Sequence, residues 1–158
     1  MDDTRRLLCH FLATLAYRTK KALRDAPPDF GRFRAMDNVR TPAELVQHMT
    51  SVLAYAKSRF ESGPYLPDPL PSLEEEALRF LRVLQELALH LEKGTALRDE
   101  MSLERLTQGP FADAMTHAGQ LAMLRRFAGS PVPQESFIDA DISAERLGSD
   151  QARPGESD

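Results

Sequence analysis

Apolar residues in this chain recur every three or four positions in four separate stretches, and in no stretch do they alternate in twos. A period of three to four is the one an α-helix uses to keep one face buried. A half-buried strand needs a period of two. The pattern therefore restricts the chain to an all-α architecture.

The first stretch runs from about Thr4 to Arg24. Leu8, Phe11, Leu12, Leu15, Ala16, Ala22 and Leu23 form its stripe, and Pro27 and Pro28 end it. The second opens with Thr41 as N-cap, Pro42 at the first helical position and Glu44 at the third. This is a capping box with proline at its favoured place. The helix is predicted to run to about Glu61, with an inner stripe of Leu45, His48, Met49, Val52, Ala56 and Phe60. Pro64, Pro67, Pro69 and Pro71 make the next segment an extended connector.

Ser72 caps the third helix, and Glu75 completes another capping box. Leu78, Leu81, Val83, Leu84, Leu87, Ala88 and Leu91 give this helix a broad apolar face, and Gly94 stops it. Residues 95–109 read as a connector with a short helical turn at Ser102–Leu106. Gly109-Pro110 is predicted to open the fourth helix, which ends at Ala128-Gly129-Ser130-Pro131. Beyond it, Val132, Phe137, Ile138, Ile142 and Leu147 should pack back onto the helices. Residues 149–158 read as a polar, disordered tail, which leaves 1–148 as a single domain. Four long amphipathic helices joined by long connectors predict a four-helix bundle, with crossover topology open to it.

A chain of 158 residues can bury a core without disulfides or a structural metal. The net charge of −4, with both signs mixed, argues against nucleic acid as a partner. No apolar run reaches the ~18 residues of a membrane span. The opening Met1-Asp2-Asp3-Thr4-Arg5-Arg6 does not read as a signal peptide. Cys9 is the single cysteine, which fits a reducing compartment. The expected location is the cytoplasm.

The chemistry-bearing residues fall on two helices. Asp113 and His117 are four apart, so they lie on one helical face, in a stripe with Leu121 and Leu124. His48 lies on the inner stripe of the second helix. Two imidazoles and one carboxylate can hold a divalent metal and leave part of its coordination open. A bland alternative stands beside this: His48 as a hydrogen-bonded core histidine and Asp113 as a first-turn residue complementing the helix dipole. His10 and Tyr17 read as boundary residues. His90 and Arg125-Arg126 suit helix C-termini, with an anionic partner as the alternative role for one of the two arginines. Cys9 reads as a small buried hydrophobe. There is no phosphate-binding glycine loop, nucleophile elbow or paired-cysteine motif.

At these residues the chain resembles the DinB-like superfamily of damage-inducible, metal-binding four-helix bundles. Glu44-Leu45-Val46-Gln47-His48 is similar to the family's second-helix motif. His117-Ala118-Gly119-Gln120, followed by Leu124-Arg125-Arg126 and Gly129, is similar to its fourth-helix motif. The match spans roughly residues 5–130. One position departs: the family's H-x-x-x-H pair has Asp113 in place of its first histidine. The resemblance implies a metal site at His48, Asp113 and His117, holding zinc or nickel with a changed charge. It also implies a homodimer, and for some relatives a thiol-dependent transferase or isomerase activity.

The expected function is thus a metal-dependent bundle acting on a small molecule, as a thiol transferase or a hydrolase. The rival expectation is a non-catalytic, homodimeric interaction module in which the three polar residues only hydrogen-bond.

Overall fold

The computed structural model describes residues 1–148, so the polar segment 149–158 lies outside the described residues. Among the described residues the fold is all-helical, with no strand. Its long elements are α1 (Asp3–Leu23), α2 (Pro42–Lys57), α3 (Leu73–Glu92) and α5 (Ala112–Phe127); α4 (Leu103–Leu106) is a single turn leading into α5. No helix among the described residues is long and apolar enough to cross a membrane.

Local chemistry sets the helix ends. The Asp2 side chain accepts from the Arg5 N–H at 2.9 Å and starts α1. The capping box of α2 is complete: Thr41 Oγ1 accepts from the Glu44 N–H, and the Glu44 carboxylate accepts from the Thr41 N–H at 2.7 Å. At α3 only half of the predicted box forms. Ser72 Oγ caps the Glu75 N–H, but the Glu75 carboxylate accepts from the Ser72 hydroxyl and not from its backbone. Gly94 (φ +65°) and Gly129 (φ +73°) occupy the left-handed conformation just past α3 and α5, where a side chain would be strained.

Two predicted boundaries move. Helix α2 stops at Lys57, four residues early, and the chain continues to Glu61 as hydrogen-bonded turns. The predicted opening of the last helix at Gly109-Pro110 is incorrect. The chain is already helical at Leu103, capped by Ser102, and Pro110 lies inside a π-helical turn, Thr107–Phe111. Proline has no N–H to give the carbonyl four residues back. The turn widens instead, and the Ala112 N–H reaches the Thr107 carbonyl.

The helices α3 and α5 each pack against both α1 and α2. This places α1 and α2 at opposite corners, as a crossover connection allows. Leu12, Leu15, Met49, Leu53, Phe80, Leu84, Leu87, Phe111 and Leu121 are all fully buried between the helices. The sequence stripe omitted Phe80 and included Leu78, which is 55% exposed. The segment after α5 returns to the core through Leu147, with Ile142 packed beside it. Phe137 lies under the Arg18 guanidinium, but Ile138 points outward at 93% exposure, against expectation. Glu135 pins this segment to α1 by accepting from the Tyr17 hydroxyl and pairing with Lys21 Nζ at 2.5 Å.

Candidate metal centre

Helix α2 presents His48 and helix α5 presents Asp113 and His117, and the packing of α2 on α5 brings the three side chains together. Their ligand atoms all lie within 4.8 Å of one another. His117 Nε2 is 3.4 Å from Asp113 Oδ1, and His48 Nε2 is 3.7 Å from Asp113 Oδ2. Both separations exceed an ordinary hydrogen bond. Two donors of a tetrahedral ion at its usual bond lengths sit about 3.3 Å apart; the two contacts to Asp113 approach that spacing, while the set as a whole, at up to 4.8 Å, is wider. The imidazole rings meet nearly edge to face, with centroids 4.8 Å apart.

The three residues do not share one degree of burial. His117 is 8% exposed and belongs to the interior. The His48 side chain is 32% exposed and that of Asp113 46%. The sequence stripes aimed all three inward, and the structure corrects this: the cluster lies at the rim of the core. The buried stripe of α2 runs through Leu45, Val46, Met49 and Leu53, leaving His48 at its edge. A carboxylate at the rim keeps water and avoids the cost of full desolvation.

Electrostatics favour the ligating form of His48. Burial is the main influence holding its pKa below the usual histidine value, and the Arg40 and His117 charges act in the same direction; Asp113 opposes them. Neutral imidazole is the form that donates a lone pair to a metal. On His117, Nδ1 lies 2.7 Å from Gln120 Oε1. With the amide oxygen accepting from Nδ1–H, Nε2 is the ring nitrogen that faces Asp113. Metal-binding histidines are characteristically oriented in this way through their second nitrogen. Gln120 was legible only as part of a motif. Its spacing of three from His117 was the signal that it could reach the ring. The donor set, two imidazole nitrogens and one carboxylate oxygen, fits zinc and neighbouring divalent ions.

Two grooves meet at the cluster. Asp113 lines one of about 690 Å³, together with Tyr55, Tyr65, Pro110 and Thr116. His48 lines the other, of about 510 Å³, together with Arg40, Asn38 and Gln47. The proline-rich connector walls both. The Ser51 hydroxyl donates to the Tyr65 carbonyl at 2.8 Å, and Gln47 Nε2 donates to the Pro67 carbonyl at 2.9 Å.

The other sequence candidates lie elsewhere. His10 is exposed, and Tyr17 is engaged with Glu135. His90 stacks on Phe60 and faces Glu61 at 3.2 Å. Cys9 is buried, as expected. Arg125 is not available to an anion. It is buried and donates to the carbonyls of Ala22, Arg24, Asp25 and Ser130, tying α5 to the end of α1.

Compared with known protein families, curated proteins and solved structures, the chain shows no match.

Proposed function

We propose that this chain is a DinB-like helical bundle in which His48, Asp113 and His117 hold a divalent ion, zinc or nickel, beside an open groove where a small-molecule thiol transfer or a hydrolysis takes place. One observation carries the reading. Three donor groups from two helices gather with their ligand atoms within 4.8 Å of one another, and the two contacts to Asp113 are longer than ordinary hydrogen bonds.

When bound, the ion supplies Lewis acidity that lowers the pKa of a water or thiol joining it. The chain's own residues do the rest. Gln120 holds the His117 ring with Nε2 facing the cluster. Asp113 contributes one negative charge, so with two neutral imidazoles a divalent ion keeps one unit of positive charge. That balance favours an anionic partner such as a thiolate. The rim position leaves Asp113 open to the groove from which a small molecule would approach. A cytoplasmic setting and a homodimeric assembly belong to the same proposal.

The test is bound metal, measured by elemental mass spectrometry on untagged protein prepared without chelator, with Asp113→Ala alongside. The expected result is near-stoichiometric metal in the wild type and a sharp fall in the variant, which would justify a screen for thiol transfer. A wild type that carries no metal and takes up neither zinc nor nickel on titration would overturn the reading.

A further inference from the structure

The two grooves differ in chemistry, and the difference bears on what the site would accept. On the aromatic side, Tyr55 and Tyr65 form an edge-to-face pair with centroids 5.4 Å apart, and among the described residues Asp113 is the only charged one lining that groove. The Tyr65 backbone is anchored at its carbonyl by Ser51, and its part-exposed ring, set against Tyr55, forms part of the groove wall. The wall is held further along the connector as well. The Leu70 N–H donates to the buried Glu76 carboxylate at 2.8 Å, and Arg79 donates to the Asp68 carbonyl at 2.8 Å.

On the polar side two arginines line the groove, and they are not equivalent. Arg34 is committed to Glu44 and to the Val39 carbonyl. Arg40 has no hydrogen-bond or ion-pair partner among the described residues, although Asp37 lines the same groove. It lines this groove together with His48. An unpaired guanidinium on a polar groove wall is suited to a carboxylate, which it can bind through two parallel hydrogen bonds. His48 borders this groove and Asp113 the other, and the two side chains approach to 3.7 Å. The donor cluster is therefore the junction of the two grooves.

We infer that the site takes a thiol bearing a carboxylate on one arm and an aromatic or other flat apolar group on the other, with Arg40 binding the carboxylate and the Tyr55–Tyr65 pair packing the apolar group. This rests on the metal reading above and adds the substrate class to it. Arg40 and Tyr65 are then specificity residues, with the sulfur directed to the donor cluster between them.

The experiment is calorimetric titration of the full chain, loaded with whichever of zinc or nickel it retains. Three probes are used: 3-mercaptopropionate, 2-mercaptoethanol and benzyl mercaptan. Arg40→Ala should weaken 3-mercaptopropionate about tenfold and leave the other two unchanged. Arg40→Lys should recover part of that loss. Tyr65→Ala should weaken benzyl mercaptan about fivefold without affecting 3-mercaptopropionate. Variants that weaken all three probes alike, or none, would overturn the inference. Metal content is measured on every sample, so a failure of the metal reading shows as absent metal and is distinct from a failure of selectivity in metal-loaded protein.

Discussion

Nδ1 of His117 lies 2.7 Å from Oε1 of Gln120, one helical turn further along α5. A carbonyl oxygen only accepts, so the ring must donate from Nδ1. Its Nε2 is thereby the nitrogen that faces Asp113, 3.4 Å away. A residue that is not itself a donor to the cluster thus orients the ring of one that is.

Gln120→Ala should weaken metal binding by about 10- to 100-fold, the range seen when the orienting partner of a metal-binding histidine is removed. Competition against a chromophoric chelator reads the change. Gln120→Glu keeps an acceptor at the same place and should stay near wild type. If the alanine variant binds as tightly as wild type, the contact does not orient the ligand.

Removing the metal should leave the fold in place. The core is built from apolar side chains such as Leu12, Leu53, Phe80 and Leu121, and it does not depend on the rim cluster. Excess chelator should therefore leave the helical circular dichroism unchanged. The melting temperature should fall only by the amount that ligand linkage supplies. Collapse of the helical signal on chelation would show that the ion holds the fold together.

The capping box of α2 should give stability a pH-dependent component. The Thr41 backbone N–H, and after it the Arg34 guanidinium, hold the Glu44 carboxyl below its usual value of 4.5. A depressed folded-state pKa contributes stability that is present above the unfolded value and is lost as pH falls through the folded one. Glu44→Gln keeps the hydrogen-bonding shape without the charge. It should cost under about 1 kcal/mol at pH 7, because the side chain is half exposed and screened. The difference between wild type and variant should shrink to nothing below the folded pKa, as measured by urea unfolding from pH 7 to pH 3. A difference that stays constant across that range would mean that the charge contributes nothing.

Arg125→Met should destabilise the protein by about 2 to 4 kcal/mol. Four backbone carbonyls, of Ala22, Arg24, Asp25 and Ser130, accept from this one buried guanidinium, and removing it leaves them under-satisfied. Arg125→Lys should recover little, because an ammonium cannot span the same fan of acceptors. Chemical denaturation of both variants checks this. A lysine variant as stable as wild type would refute the geometric argument.

Some elements were legible because their signals are local. Thr41, Pro42 and Glu44 start α2 through contacts within four residues, and the structure forms every one of them. The resemblance and the i, i+4 spacing together named His48, Asp113 and His117, and the structure gathers these three at one place. The π-helical turn at Pro110 was not legible. A proline after a glycine reads as a start; the helical turn expected at Ser102–Leu106 is present, but only its direct continuation through Thr107–Phe111 into the last helix makes Pro110 an interior residue.

Taken alone, the amino-acid sequence determined the helical class, the caps, and which residues lie within a turn of each other, because backbone hydrogen bonds and helical spacing act over three to five residues. Only the tertiary structure decided that His48 sits at the rim, that Arg125 is buried among carbonyls while Arg40 has no partner among the described residues, and that two grooves of different chemistry meet where His48 approaches Asp113. These depend on which helix packs beside which, and on where the proline connector lies across α2. Burial and charge environment are sums over neighbours distant in sequence, and a periodic stripe does not specify them.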